Sequence, residues 1–267
     1  MQGFSLRLRE ASRDDRRMTK PVQARSFDAI AAAYDAHRPS YPPALFDAIE
    51  ELAGIPLAGA RVADVGAGTG LGTARLYERE ARITAVEPGD GMAEQFARSL
   101  PDVPLVRGDG NNLPLRTGSM DLITYAQAWH WTDPTRSIPE ARRVLRPGGA
   151  LALWWNDGDP DVEWLMDQEN RMRVFFGVEV PAVPNRRARF RAVLPDGLDF
   201  RTRQVAWSRR VPVDAHIANM ATHSDFLIGD PVAVRDFFDR ERALLASLFP
   251  DGEVEEAYLV SLAVAHP

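Results

Sequence analysis

The segment Val62-Ala63-Asp64-Val65-Gly66-Ala67-Gly68-Thr69-Gly70 is an apolar run that breaks into glycines and then opens a helical pattern. Glycine lets the backbone take positive φ and approach a ligand closely, and the N-terminus of the following helix points N–H groups at that ligand. A second apolar run, Ile83-Thr84-Ala85-Val86, ends in Glu87, seventeen positions after Gly70. A carboxylate at the tip of the second strand accepts hydrogen bonds from both hydroxyls of a ribose. Loop and acid together point to an adenosine cofactor. The dinucleotide fingerprint G-x-G-x-x-G needs glycine or alanine at its last position. Leu71 stands there, or Thr73 if the count starts at Gly68. A ligand without a diphosphate therefore fits better than NAD.

The scaffold that positions these residues is legible in the periodicity. Short apolar runs at Arg61–Val65, Arg82–Val86, Val103–Val106, Met120–Tyr125 and Ala150–Trp155 alternate with helical stretches at Leu71–Arg79, Gly91–Leu100 and Pro134–Leu145. Alternating strands and helices predict right-handed crossovers and an α/β fold, with a doubly wound, mostly parallel sheet covered on both faces. Upstream, Ser26 is a candidate N-cap for a helix carrying Phe27, Ile30, Ala31 and Tyr34, which Pro39 stops. A second helix starts at Pro42–Pro43 and places Leu45, Phe46, Ile49 and Leu52 on one side. Beyond Trp155 the pattern predicts a helix over Asp161–Phe176, a strand near Arg203–Arg209, helices over Asp214–Ala221 and Pro231–Leu248, and a closing strand near Ala257–Ala265.

The expected division is a mobile tail over residues 1–24 and a single domain over 25–267. Within it, residues 25–58 form cover helices, 59–156 the cofactor-binding core, 157–200 a substrate-side insert, and 201–267 strands and helices completing the sheet.

Composition removes whole classes of function. The 267 residues carry a net charge of −6 and no cysteine. That excludes a disulfide framework, a zinc ribbon, an iron–sulfur cluster and a cysteine nucleophile. No apolar run reaches the roughly 18 residues of a membrane span, and the N-terminus lacks the apolar core of a secretion signal, so a cytoplasmic protein is expected. The acidic balance argues against a nucleic-acid footprint. Lys20 is the only lysine, which with the many alanines suggests a GC-rich bacterial gene. Asp157, Asp159 and Asp161 resemble a cation loop only superficially, because Val162 and Gln168 stand where the calcium pattern needs Gly and Glu; no metal is expected, the minor alternative being a magnesium ion bridging a diphosphate acceptor.

Further motifs follow in order: Gly108-Asp109-Gly110-Asn111 and Leu113-Pro114 after the third strand, Met120-Asp121-Leu122-Ile123 opening the fourth, and Arg143-Val144-Leu145-Arg146-Pro147-Gly148-Gly149 before the fifth. Taken in series, the segment Ser26–Trp155 resembles the class I S-adenosylmethionine-dependent methyltransferases. More narrowly, Ala126-Gln127-Ala128-Trp129-His130-Trp131, the stretch Phe27…Tyr34…Arg38-Pro39-Ser40-Tyr41-Pro42, and Ala221-Thr222-His223-Ser224 resemble the branch that includes trans-aconitate methyltransferase.

The resemblance implies a Rossmann-like fold, an N-terminal helical cover and a helical insert after strand five. It implies S-adenosylmethionine as cofactor and S-adenosylhomocysteine as product. Gly66, Ala67, Gly68 and Gly70 then hold the methionine and ribose portions, Glu87 the ribose, Met92 the adenine face, and Asp109 with the Gly110 N–H the adenine edge. Ala126 and Gln127 underlie the methionine end, while Tyr34 and Arg38 cover the site, Arg38 meeting the cofactor carboxylate. His130, beside the methyl-transfer mouth, is the candidate base; the alternative is a wall residue between Trp129 and Trp131. With an ordinary pKa near 6.5, a histidine accepts a proton at neutral pH. Trp129, Trp131 and Trp155 are candidate acceptor contacts, with Trp154, Trp164, Phe175 and Phe176 nearby. Arg186, Arg187, Arg189 and Arg191 form a cluster that is either a solvated helix face, the commoner case, or a site for a carboxylate or phosphate on the acceptor. The cysteine of cytosine-C5 methyltransferases and the Asn/Asp-Pro-Pro-Tyr motif of adenine methylation are missing, so the expected acceptor is a small molecule in bacterial specialised metabolism. An NAD-dependent oxidoreductase and a non-catalytic cofactor-binding protein on the same fold remain the alternatives.

Overall fold

The computed structural model describes residues 28–178, 190 and 194–267. The Ser26 cap, Phe27 and the cluster Arg186, Arg187, Arg189 and Arg191 lie outside those residues. Seven described strands form one sheet in the order β3-β2-β1-β4-β5-β7-β6. They are β1 Arg61–Val65, β2 Arg82–Glu87, β3 Leu105–Arg107, β4 Met120–Ala126, β5 Leu145–Gly158, β6 Arg201–Pro212 and β7 Glu253–Ala265. Pairing is parallel from β3 through β5, while β7 runs antiparallel to both β5 and β6. The chain winds outward from β1 to β3, then returns to place β4 on the other side of β1. That reversal opens a crevice at the carboxyl ends of β1 and β4, where open α/β sheets bind ligands.

The helices are α1 Ala31–His37, α2 Pro43–Ala53, α3 Leu71–Glu78, α4 Asp90–Ser99, α5 Pro134–Val144, α6 Glu163–Phe175, α7 Val213–Ala221, α8 Ser224–Leu227 and α9 Pro231–Leu248. Their ends follow local chemistry. Pro43 opens α2 where its missing N–H costs nothing, and Gly54 closes it with φ 65°. The carboxylates of Asp133 and Asp230 cap α5 and α9 by accepting from Thr135 N–H, and from Val232 and Ala233 N–H.

Both sheet faces are covered. One buries Phe46 and Ile49 of α2, Leu76 of α3 and Phe96 of α4 against Trp154. The other buries Ile138 and Ala141 of α5 and Trp129 against Val65, Ile123 and Leu153. A third cluster, with Phe226, Phe237, Phe238 and Leu245, joins the late helices. The edge strand β6 is rich in arginine, and the Arg203 guanidinium pairs with Glu51 of α2; charges on an open edge oppose pairing with another chain. No described helix is long and apolar enough to cross a membrane.

The observed strands β5 and β7 are longer than the apolar runs that mark them, because ladder hydrogen bonds continue through residues of any polarity once register is set.

Candidate active site

The glycine loop turns sharply at the carboxyl end of β1. Gly66, Gly68 and Gly70 all have positive φ, at 68°, 60° and 99°. Gly66 and Ala67 donate to the Val86 carbonyl at 2.8 and 3.2 Å, which seats the loop against β2. Beneath it lies Asp64, a buried carboxylate that accepts from Thr73 Oγ1 at 2.5 Å and Thr124 Oγ1 at 2.8 Å. It ties β1 to α3 and β4. Burial pushes its pKa up against the opposing effect of the two hydroxyls. Sequence reading missed this role; the signal was an acid inside an otherwise apolar strand.

Glu87 ends β2 with 7% of its surface exposed. Its Oε2 accepts from Gly68 N–H at 2.9 Å and its Oε1 from Gly89 N–H at 2.7 Å. One carboxylate thus fixes both the glycine loop and the start of α4, whose first turn buries Met92. Asp109 is exposed; its Oδ1 accepts from Asn111 N–H at 2.7 Å. Gly110 beside it is buried, and a Cβ there would lie 2.7 Å from Tyr125 Oη. Only glycine fits over that hydroxyl, which itself has no hydrogen-bond partner.

At the end of β4, Ala126 faces Gly72 of α3. Gln127 carries φ 57°, unusual outside glycine. Its N–H donates to the Trp154 carbonyl at 2.9 Å and its Nε2 to the Asn156 carbonyl at 3.0 Å. The strained turn is therefore locked to β5 from both ends.

A cavity of about 540 Å³ adjoins these residues at Leu71 and Gln127. Tyr34, Arg38 and Tyr41 line one side, Trp155, Phe190, Met166 and Met172 another, and Asn219, His223, Glu256 and Tyr258 a third. Arg38 closes α1: Nη1 lies 3.3 Å from His223 Nε2, Nη2 donates to the Thr222 carbonyl at 3.2 Å, and the guanidinium sits 5.0 Å from the Tyr34 ring centre. Its Nε is buried without a partner. Arginine only donates, so His223 Nε2 is the accepting nitrogen and Nδ1 carries the proton.

The predicted tryptophans separate. Trp155 lines the cavity, edge-on to Phe190, and donates its indole N–H to His130 Nδ1 at 3.4 Å. Trp129, 2% exposed, is a core residue edge-on to Tyr125. Trp131 leans on the His130 ring outside the cavity lining, and His130 is exposed. Trp154 is wholly buried, while Trp164, Phe175 and Phe176 pack into the third core cluster. No group of metal-ligating side chains occurs among the described residues.

Along one wall of the cavity runs a buried polar chain that sequence reading did not foresee. Glu256 accepts from Tyr258 Oη at 2.8 Å, and its oxygens lie 2.5 Å from Arg209 Nε and 2.6 Å from His216 Nδ1. Burial pushes the Glu256 carboxyl up, but His216 and Arg209 outweigh it and hold the pKa at about 2. His223 is pressed to about 3 by burial, then by the charges of Arg38 and His216. Both shifts make the fold sensitive to acid. An unfolded histidine gains its proton near pH 6.5, the folded one not until about 3, so its contribution is lost as pH falls across that window. The contribution of Glu256 is lost from about 4.5 down to 2. The buried Asp64, with its raised pKa, opposes this trend. The thermal midpoint is expected to fall steadily below pH 6.5. His223→Gln should flatten the upper part of that slope and Glu256→Gln the lower; unchanged slopes would refute the assignment.

Comparison with known proteins agrees with this geometry. Residues 63–153 match a family model described as a methyltransferase domain. Uncharacterized methyltransferases of Mycobacterium tuberculosis and Mycobacterium bovis are each 39% identical over 224 residues, covering 83% of this chain and 86% of theirs. A solved structure described as a type II methyltransferase from Anaeromyxobacter dehalogenans is 25% identical and superposes with a TM-score of 0.64, covering 85% of this chain and 96% of that one. With relatives this similar aligned over most of their length, the chain belongs to the class I S-adenosylmethionine-dependent methyltransferases.

Proposed function

We propose that the chain transfers a methyl group from S-adenosylmethionine to a small molecule held in the cavity between α1, α6, α7 and the ends of β5 and β7. The observation that carries this reading is the cavity's place and lining: it begins at Leu71 and Gln127, beside the glycine loop, and extends away between aromatic and methionine side chains. Apolar walls with a few convergent polar groups are the usual form of a small-molecule site. We further propose a bacterial cytoplasmic setting within specialised metabolism; the single lysine and the many alanines support a bacterial gene.

The residues present fit the cofactor. Among the described residues Arg38 is the one arginine lining the cavity, no described carboxylate pairs with it, and its buried Nε lacks a partner. That is a donor set suited to the cofactor carboxylate. Bound here, S-adenosylmethionine supplies a methyl carbon made electrophilic by its sulfonium. Gly66, Ala67, Gly68 and Gly70 bring the backbone close to the methionine and ribose portions, and Glu87 orients the ribose hydroxyls. Met92 packs at the adenine, Asp109 accepts from its amino group, and the Gly110 N–H lies beside it. Ala126 and Gln127 support the methionine end, while Tyr34 and Arg38 close it from above. Trp155 walls the acceptor; Trp131 flanks the mouth, and Trp129 supports that wall from the core. Positioning and exclusion of water of this kind are worth up to about 7–11 kcal/mol.

His130 is the proposed proton acceptor for acceptors that must lose one. In the neutral ring its Nδ1 takes the Trp155 N–H, so accepting a proton there requires that long bond to open. His130→Ala is expected to lower turnover by about 10²-fold or more and to flatten the pH dependence of turnover. Full turnover with an unchanged pH profile would assign His130 to holding Trp155 instead.

The reading is tested by incubating the protein with methyl-labelled S-adenosylmethionine and a bacterial metabolite extract. Label is expected in the small-molecule fraction, and absent with Glu87→Ala. Label appearing only in protein or nucleic acid overturns the small-molecule assignment.

A further inference from the structure

The cover helix α1 is seven residues long and buries only Ala31, so apolar packing alone does not fix it. Polar side chains from other elements do. Asp35 Oδ2 accepts from Gln95 Nε2 and Ser99 Oγ of α4, each at 3.0 Å. At the other end, Arg209 of β6 donates through Nη2 to the His37 carbonyl at 2.9 Å, while its Nε holds Glu256 at 2.5 Å. Glu256 is itself 1% exposed and anchored by three further donors, Tyr258, His216 and Asn219.

The His37 carbonyl is among the last in α1, where the helix supplies no donor of its own. It belongs to the peptide that leads into Arg38. A guanidinium bonded to it fixes that peptide plane, and also suits the negative end of the helix. Arg38 is then held at both ends: its backbone through Arg209, its guanidinium through Thr222 and His223.

We propose that Arg209, held in place by Glu256, is a positioning residue for cofactor recognition. By capping the His37 carbonyl it sets Arg38 to receive the cofactor carboxylate. The inference rests on the reading of Arg38 given above.

The test uses two ligands that share the adenosine and thioether but differ in the amino-acid end. S-adenosylhomocysteine carries the carboxylate; 5′-methylthioadenosine does not. Both are titrated calorimetrically into the full chain and into Arg209→Gln, Arg209→Lys, Arg38→Gln and Glu241→Gln. Glu241 sits at the far end of the same buried chain, bonded to Gln168 and Arg171 and remote from α1, so its variant controls for lost stability. Arg209→Gln is expected to weaken S-adenosylhomocysteine about tenfold and 5′-methylthioadenosine less than about twofold. Arg209→Lys keeps a charge beside Glu256 but offers one ammonium to two acceptors. It should shift the ratio in the same direction even if the glutamine variant fails to fold. Glu241→Gln should leave the ratio unchanged. A ratio unmoved by Arg209→Lys, or equal loss for both ligands, overturns the proposal while leaving Arg38 untouched. A ratio unmoved by Arg38→Gln removes the reading of Arg38 itself, and the proposal with it.

Discussion

Glu87→Ala is expected to lose S-adenosylhomocysteine binding by at least about a hundredfold. Two losses combine. The carboxylate is the acceptor for two backbone donors, Gly68 N–H at 2.9 Å and Gly89 N–H at 2.7 Å, in a nearly buried setting. Stranding a buried donor costs about 1–3 kcal/mol each, and here the cost falls on the loop that must hold its shape to bind. On the proposed role of Glu87 the ribose also loses its acceptor, since an ionised carboxylate accepts up to about four hydrogen bonds. Titration of the variant with S-adenosylhomocysteine reads both losses together, and the thermal midpoint without ligand isolates the first. Binding within about threefold of the native protein would mean that Glu87 is a loop brace alone.

Gly66→Ala is expected to destabilise the fold by about 3 kcal/mol or more, and Gly68→Ala by only about 1–2 kcal/mol. Both residues have positive φ, so both variants carry backbone strain. They differ in what a methyl group meets. At Gly66 it would lie 2.5 Å from Ala128 Cβ, an atom fixed close to the backbone; at Gly68 nothing stands within 4 Å. In the proposed site the open side at Gly68 is the side the cofactor would approach. The two variants therefore separate by readout. Gly66→Ala should show a lowered midpoint in chemical denaturation, and Gly68→Ala should keep most of its stability while losing S-adenosylhomocysteine affinity. Equal stability loss in both would mean that strain, and not the Ala128 contact, dominates.

The glycine turn and the acid beside it were legible in the sequence because their geometry is local. Positive φ at Gly66, Gly68 and Gly70, the acid at the end of β2 and the order of strands and helices each leave a signature within a short stretch of chain. Strand polarity followed too: alternation of β and α allows few topologies, and the sheet has the expected parallel run. The tryptophans after β4 and in β5 gave no such signal. Trp154 and Trp155 are adjacent in β5, so they face opposite sides of the sheet; one is wholly buried and the other lines the cavity. Trp129 and Trp131 sit two apart in a 3₁₀ turn, and only the fold sends the first into the core.

What the sequence by itself determined was the class of fold, the glycine turn after β1 and the acid that ends β2. What only the tertiary structure decided was the polar chain from Glu241 through His216 and Glu256 to Arg209 and the end of α1. Its members come from α6, α7, α9, β6 and β7, up to 172 residues from the carbonyl they reach. Hydrogen bonds between residues so far apart obey no sequence spacing. Each exists because packing removes water from around a polar atom, and a buried polar atom must then find its partner wherever the fold has brought one.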